Sequence, residues 1–495
     1  MIALRPAASV AALSTALATL PASAEITPAE VWANWQAVLT MSEQEMMVDS
    51  VDVSDDRVVV HGLALATSAD GLNFRFDFGT LELVAAPGGT VEVVMEDVYT
   101  VTMTDDFEEA RLVFEIVQAG TELIASGTPG MVRYDFVSPE VTVRATEFVI
   151  PDMRGDDDAS LVFEARAVNT AGHYLFASDY SVLTSSGTMD SFTMDLDLTA
   201  PGDLGYMRGD LEFGASTSSV DIRNAHMLEE DPMMAMMSGL SMAVDMDIAS
   251  SRMSFDFLDG SERVQFDYDS LGNALAFLFN RDGFMFDVRG GATTFTGMVP
   301  DFPFPVEMGM EEVAMRFDLP MTLEDAPPRE MTALTRMVGL TVSEDIFGMF
   351  DPARVLPRTP ATFIVDITGV GILNVMEAMM GGDMPITLDS MSLNELRVAF
   401  GGAELTGSGA LTFDMDDLDT FDGIPRPEGI VSLALSGGNA FLDALGQLGL
   451  LGQEELMGAR MGIGMFGRPV GPDQTESVIE FTPDGGLSVN GMRLQ

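Results

Sequence analysis

Few residues in this sequence can act as nucleophiles, general bases or metal ligands. The chain of 495 residues contains no Cys, and all 24 of its basic residues are Arg. Its three histidines, His61, His173 and His226, lie far apart and form none of the paired patterns of metalloenzymes. Lysine Schiff bases, thiolate metal sites and lysine-dependent phosphate loops are therefore excluded. We predict a protein that is not an enzyme and that has no metal site and no cofactor.

One glycine motif and several acidic clusters have the composition of ligand sites. Residues Gly462 to Gly467 match Gly-x-Gly-x-x-Gly, but a helical pattern precedes them and Pro469 follows. A dinucleotide site needs a strand before the motif and a helix after it, so we predict a flexible exit from a helix instead. Acidic clusters such as Asp414 to Asp422 fit no calcium-loop pattern. A solvated acidic face is the simpler interpretation.

Methionine is the most unusual component of the sequence, with 38 residues grouped in clusters. Met side chains are flexible and polarizable, so they adapt to varied apolar partners, although they also fill ordinary cores. Both interpretations remain open from the sequence. The residues that we predict to face an apolar ligand are Met233, Met234, Met236, Met237, Met376, Met379 and Met380.

The charge balance limits the partners. The chain has 78 acidic residues and a formal net charge of -54, which repels a phosphate backbone. Nucleic acid is therefore excluded as a partner. At the same time 47% of the residues are hydrophobic, which is enough to bury several cores in a chain of this length.

The first 24 residues have the pattern of a secretory signal peptide. Arg5 precedes an apolar run from Ala7 to Leu20, and Ala22-Ser23-Ala24 supplies the small residues of a cleavage site between Ala24 and Glu25. No later apolar stretch approaches the length of a membrane-spanning helix. We expect no transmembrane segment after cleavage and a periplasmic or secreted protein.

The elements that would position any site are mainly strands. Thr27-Pro28-Ala29-Glu30 has the form of a capping box and predicts a helix from Pro28 to about Leu39 that buries both tryptophans. Most of the following residues alternate instead, as Phe192, Met194, Leu196 and Leu198 do with polar neighbours. This period of two is typical of antiparallel strands with one apolar face. No repeat of fixed period is visible.

Helical spacing returns later in the chain. We predict helices over 329–350, 372–380 and 439–457, strands over 393–400 and 404–414, and a closing hairpin over 477–494. The predicted organisation is a signal peptide (1–24), an N-terminal helix with an antiparallel β-rich region (25–326), and a helix and strand region that continues the same sheet (327–495).

Several short segments resemble a known family. Glu30 to Trp35 follows the signal peptide, Ser392 to Leu396 leads to Gly402 to Leu411, and Phe441 to Leu451 precedes a tail from Gly485 to Gly491. Together these segments are similar to an exported alphaproteobacterial family, domain of unknown function 2125. The resemblance covers both ends of the chain and implies an envelope location and a β-rich fold. It assigns no catalytic residue.

The one-sided strands offer more apolar surface than a few helices can cover. We predict a mainly β fold in which a large, curved, mostly antiparallel sheet forms a half-pipe or sandwich, with a few amphipathic helices packed on it. An open sheet would expose an apolar groove for lipid or for an envelope protein. The first functional hypothesis is therefore a non-enzymatic periplasmic protein that binds lipid or another apolar envelope component. The alternative is a structural or assembly protein with a closed core and no ligand.

Overall fold

The computed structural model describes residues 25–41, 45–69, 71–105, 110–149, 159–179, 181–200, 205–228, 231–298, 300, 302–323, 326–375 and 386–494. Strands account for 67% of the structure and helices for 12%, and the strands form one large, mostly antiparallel sheet. The predicted β-rich fold is confirmed. The predicted signal peptide, including Ala24, lies outside the described residues.

The helices that the described ranges contain are α1 (Pro28–Met41), α2 (Pro232–Met237), α3 (Glu344–Phe350), α4 (Gly438–Gln447) and α5 (Gln453–Phe466). The predicted capping box begins α1, because the Glu30 N–H donates to Thr27 Oγ1 at 3.3 Å and the Thr27 N–H donates to Glu30 Oε2 at 2.8 Å. Val31 and Trp32 are buried against the sheet, whereas Trp35, which was also predicted to be buried, is only half-buried.

The sheet contains 29 strands in the described part of the chain. The first nine are β1 (Glu45–Met47), β2 (Ser50–Val53), β3 (Arg57–Ala69), β4 (Leu72–Ala86), β5 (Thr90–Met95), β6 (Val98–Asp105), β7 (Arg111–Val117), β8 (Glu122–Thr128) and β9 (Met131–Val149). The next twelve are β10 (Ser160–Ala177), β11 (Val182–Met189), β12 (Ser191–Thr199), β13 (Gly205–Phe213), β14 (Ser216–Arg223), β15 (Ser241–Asp259), β16 (Glu262–Asn280), β17 (Gly283–Gly290), β18 (Thr293–Met298), β19 (Val306–Met310), β20 (Glu312–Thr322) and β21 (Arg329–Val342). The last eight are β22 (Ala361–Asn374), β23 (Ile386–Phe400), β24 (Ala403–Asp414), β25 (Arg426–Ser436), β26 (Arg468–Gly471), β27 (Gln474–Phe481), β28 (Leu487–Val489) and β29 (Met492–Arg493).

The same strand connectivity occurs three times along the sheet. In β4–β9, the long strand β4 pairs with β5 and β6, which together form one interrupted strand. These pair with β8 and β7, which form a second interrupted strand, and that strand pairs with the long strand β9. The segments β10–β15 and β16–β21 pair in the same order. The sequence shows no repeat of fixed period, and the repeat in the structure is one of strand connectivity between units of unequal length. A strand repeat needs only alternation and a break near mid-strand, neither of which requires a fixed period.

The breaks lie side by side and form a line across the sheet. In the intact strands the same line contains residues with positive φ, among them Gly62, Gly79, Asn169, Gly272 and Gly339. Bulges and positive-φ residues bend strands. The apolar side chains of a strand also switch between even-numbered and odd-numbered positions at this line. In β9, for example, Phe136 before the line and Val141 after it line the same cavity. An inserted residue thus keeps the apolar side chains on one face.

The sequence pattern predicts the wrong structure for residues 329–342. Residues 329–342 form strand β21, not a helix, because β20 and β22 pair with it along its length and these ladders outweigh the helical spacing. Only the end of the predicted helix, α3, is helical. Strand β22 continues to Asn374 where a helix was predicted over 372–380, and residues 376–380 of that prediction lie outside the described residues. The predicted strands over 393–400 and 404–414 are present within β23 and β24.

The structure is helical in the region where a helix was predicted over 439–457, but it contains two helices there instead of one. Helices α4 and α5 are separated by a turn at 448–452, where Gly449 has a φ of 72°. Gly462 and Gly464 lie within α5, so the predicted flexible exit is wrong. The predicted closing hairpin consists of β27 paired with β28, and β29 adds a last short strand.

A buried ion pair fixes the segment between α3 and β22. The Asp351 side chain is inaccessible to solvent and accepts hydrogen bonds from Arg358 Nη1 at 2.6 Å and from the N–H groups of Val355 and Leu356 at 2.8 Å each. Burial alone would raise the pKa of Asp351, but the guanidinium and the two N–H groups outweigh it and hold the pKa below its ordinary value. This carboxylate therefore stays ionised and holds the loop in place.

Candidate functional site

The register of the sheet aligns apolar side chains into one continuous row. Each member is the cross-strand partner of the next, so all members share a face. This apolar row consists of Tyr134, Tyr174, Ser185, Val220, Val244, Phe277, Phe286, Phe317, Ala333, Ile367, Leu393, Gly409, Val431, Ile479 and Val489. Only Ser185 and Gly409 are neither aliphatic nor aromatic. With strands about 4.8 Å apart, the row is about 65 Å long.

Aromatic side chains extend this face beyond the break line. Phe255 pairs with Phe266 across β15 and β16, and their ring centroids are 5.3 Å apart. The Phe266 and Phe295 centroids are 6.2 Å apart. Stacked and offset rings of this kind add to the stability of cross-strand pairs. The apolar face therefore covers both halves of the long strands.

Much of the apolar face is exposed to solvent. Phe317, near the middle of the row, is 40% exposed, and Met315 beside it is 39% exposed. By contrast Leu81, Leu83 and Val91, which lie under α1, have no exposed surface. Among the described residues, the first and last strands do not pair with each other, and α1 contacts the first strands of the sheet. Helix α1 thus covers the face at its N-terminal end and α2 packs on one edge of it over Phe279 and Phe284, whereas the part around Phe317 is exposed.

The covered end encloses an apolar cavity of about 540 Å³. Its walls come from α1 and from strands as far apart in the sheet as β3 and β10, so the sheet curls around this space. The lining side chains are Asn34, Trp35, Leu39, Leu63, Leu65, Phe78, Met95, Tyr99, Gln118, Thr121, Leu123, Tyr134, Phe136, Ser138, Val141, Thr170, Tyr174 and Phe176. Because Tyr134 and Tyr174 also begin the apolar row, the cavity is continuous with it.

One polar contact lies between α1 and the sheet inside this cavity. The Tyr134 hydroxyl donates to Asn34 Oδ1 at 3.0 Å, and both residues are buried. Burial raises the pKa of Tyr134, and the neighbouring Trp35 indole opposes this rise only in part. The hydroxyl therefore keeps its proton. Sequence reasoning identified neither Asn34 nor Tyr134, because only the packing of α1 brings these distant positions together.

The opposite face of the sheet is acidic. A row of cross-strand partners on this face consists of Asp77, Thr100, Glu115, Arg144, Glu164, Asp195, Asp210, Ser254, Asp267, Thr296 and Glu307. Burial and the adjacent Asp210 raise the pKa of Asp195. Arginines offset part of the charge, as Arg252 does by pairing with Asp269 at 2.8 Å and Glu212 at 3.4 Å. The sheet therefore has one apolar face and one acidic face along its length.

The predicted methionine site is only partly described, and its members differ in exposure. Met236 is buried in a cluster beneath α2 with Leu240 and Met321, so it is a core residue. Met234 and Met237 are 48% and 65% exposed, and Met233 lines a second cavity of about 560 Å³ beside Arg281, Asp282 and Arg329. The other predicted members, Met376, Met379 and Met380, lie outside the described residues. The Met236 cluster also contains Phe279 and Phe284, which lie two residues along their strands from the row members Phe277 and Phe286 and therefore share their face.

The histidines and carboxylates form no shared centre in the described structure. His61 Nε2 lies 3.3 Å from Asp52, and His173 Nδ1 lies 2.9 Å from Ser186 Oγ. No group of three or more potential metal ligands converges within the described residues. In the acidic segment 414–422, Asp414 and Asp417 pair with Arg426.

Comparison with protein families, curated proteins and solved structures found no match for this chain. The resemblance to domain of unknown function 2125 therefore stays a prediction. None of the helices in the described ranges combines the length and apolar character required to span a bilayer.

Proposed function

We propose that this protein is a non-enzymatic periplasmic protein that binds the acyl chains of lipids, or another apolar envelope component, along the apolar row. The observation that carries the proposal is the continuity of the row over fifteen strands, most of whose members are only partly buried, with Tyr174 and Phe317 the most exposed. Monomeric proteins rarely expose contiguous apolar patches larger than a few hundred Å². A ligand that covers such a surface gains about 25 cal/mol for each Å² of apolar area removed from water.

The shape of the face favours chain-like ligands. The row is about 65 Å long and runs across the strands, so a flexible hydrocarbon chain could contact residues from many strands at once. The acidic face points away from it and would keep the loaded protein soluble. The periplasmic location rests on the signal-peptide pattern of residues 1–24.

The test begins with native mass spectrometry and lipid extraction on protein purified from its own cells. We expect a co-purifying lipid in near-stoichiometric amount. Delipidated protein should then bind a dansyl-labelled long-chain fatty acid with an increase in dansyl fluorescence. An empty monomer that binds no such probe would contradict the proposal and would favour a structural or assembly role.

A pair of variants identifies the face that binds. Phe317→Asp places a charge in the middle of the apolar row, whereas Leu334→Asp places one on the opposite face, where Leu334 pairs with Arg316 and Asp366. We expect Phe317→Asp to weaken dansyl fatty acid binding about tenfold or more, since burying an unpaired carboxylate under the ligand is unfavourable. Leu334→Asp should bind like the wild-type protein. Equal effects of the two substitutions would contradict a site on the apolar row.

A further inference from the structure

The cavity under α1 contains a buried polar group that the described residues leave unsatisfied. Asn34 is 4% exposed, and its Oδ1 accepts the hydrogen bond from Tyr134. Its Nδ2 is buried and has no hydrogen-bond partner within the described structure. Buried donors are nearly always paired, because an unpaired donor has lost its hydration without compensation. An acceptor atom on a ligand in the cavity would restore the missing bond.

Tyr134 determines which half of the Asn34 amide is free. The tyrosine hydroxyl is neutral, since burial raises its pKa, so it can donate its proton to the amide oxygen. The amide nitrogen is then the unsatisfied half of a residue that lines the cavity. It offers N–H donors and therefore requires an acceptor, such as a carbonyl oxygen.

The cavity walls indicate that the polar end of the ligand is uncharged. The lining residues include no Asp, Glu, Arg or His, and their polar members besides Asn34 and the tyrosines are Gln118, Thr121, Ser138 and Thr170. Thr121 and Ser138 already hydrogen-bond to each other at 2.6 Å. An ionised headgroup would lose its hydration here without meeting an opposite charge, which is strongly unfavourable.

We propose that this cavity binds the ester carbonyl of a neutral acyl lipid, with Asn34 Nδ2 as the hydrogen-bond donor. The acyl chain leaves the cavity past Tyr174, which is 43% exposed, and continues along the apolar row. This inference rests on the proposed function and adds the chemical class of the lipid and the end of the groove at which its polar group lies. The cavity volume of about 540 Å³ is within the usual range for sites of small ligands.

The test compares ligands that differ in one group. The probes are a long-chain monoacylglycerol and the monoalkylglycerol ether of the same chain length, which lacks the carbonyl. Binding is followed by intrinsic fluorescence, because the protein has two tryptophans and one of them, Trp35, lines the cavity. We expect the wild-type protein to bind the ester about tenfold more tightly than the ether, as expected for one buried hydrogen bond.

Two variants separate the role of Asn34 from the general polarity of the cavity. Asn34→Leu should remove the preference for the ester while retaining binding of the ether. Thr121→Val is the matched control, because Thr121 already pairs within the protein, and it should keep the preference. If Asn34→Leu does not fold, the comparison of ester and ether on the wild-type protein still tests whether the cavity binds the carbonyl group, and equal affinities would overturn the proposal.

The outcomes distinguish this inference from the function on which it rests. Equal affinity for ester and ether, or tighter binding of the matching fatty acid anion, would overturn the assignment of Asn34 while leaving the lipid-binding function intact. Failure to bind either glycerolipid, together with failure to bind the dansyl fatty acid, would overturn the proposed function itself.

Discussion

Truncating one side chain of the apolar row measures whether this face is open or lies in a dry core. The change is Phe317→Ala, and the reference is Leu81→Ala beneath α1. Phe317 is 40% exposed, so about three-fifths of its side chain is removed from water on folding. Full burial of such a side chain contributes up to about 3 kcal/mol, so we expect Phe317→Ala to cost about 1–2 kcal/mol. Solvent would fill the vacated space, so no closed cavity remains.

Leu81 has no exposed surface and belongs to the cluster that α1 covers. Its truncation loses the transfer free energy and leaves a cavity, so the expected cost is about 3–4 kcal/mol. The stability of each region has to be measured separately, because the free energy of local opening differs along a large sheet. Hydrogen exchange followed by mass spectrometry on peptides from β20 and β4 gives the two values. Equal costs for the two variants would mean that Phe317 lies in a closed core, and the case for a lipid groove would fail.

Three further predictions concern the elements that hold the sheet in shape. Thr27→Ala should lower the local stability of α1 by about 1 kcal/mol through loss of its N-cap, measured by exchange of the first-turn amides; unchanged protection would contradict the capping role. The segment after α3 should lose protection from exchange as the pH falls below 3.8, the ordinary pKa of this carboxyl group. The folded state lowers the pKa of Asp351, so the ionised carboxylate stabilises the fold above pH 3.8, and this stabilisation is lost when the carboxylate is protonated. Asp351→Asn should remove that pH dependence, and an unchanged profile would show that another group is responsible. Gly79→Ala should cost about 1–2 kcal/mol because Gly79 has a φ of 71°, whereas Gly130→Ala, with open space around it, should be nearly neutral in thermal unfolding.

The sequence pattern predicts correctly wherever one local signal dominates. Thr27 and Glu30 form the capping box that their spacing predicts, and α1 begins there. The alternation from Phe192 to Leu198 forms β12. In residues 329–342 helical spacing and β-propensity conflict, and pairing with two neighbouring strands determines the outcome.

By itself the sequence determined that this is an acidic, β-rich chain with strands of one apolar face, because side-chain alternation and charge are local properties. The tertiary structure decided which residues become neighbours. Asn34 and Tyr134 are 100 positions apart and meet only because α1 packs over β9. The apolar row likewise exists through register, since a shift of one residue in any strand would turn its members to the acidic face. Register is set when strands pair, by the match of their apolar faces and by the turns between them, so one strand's pattern alone does not determine its partners.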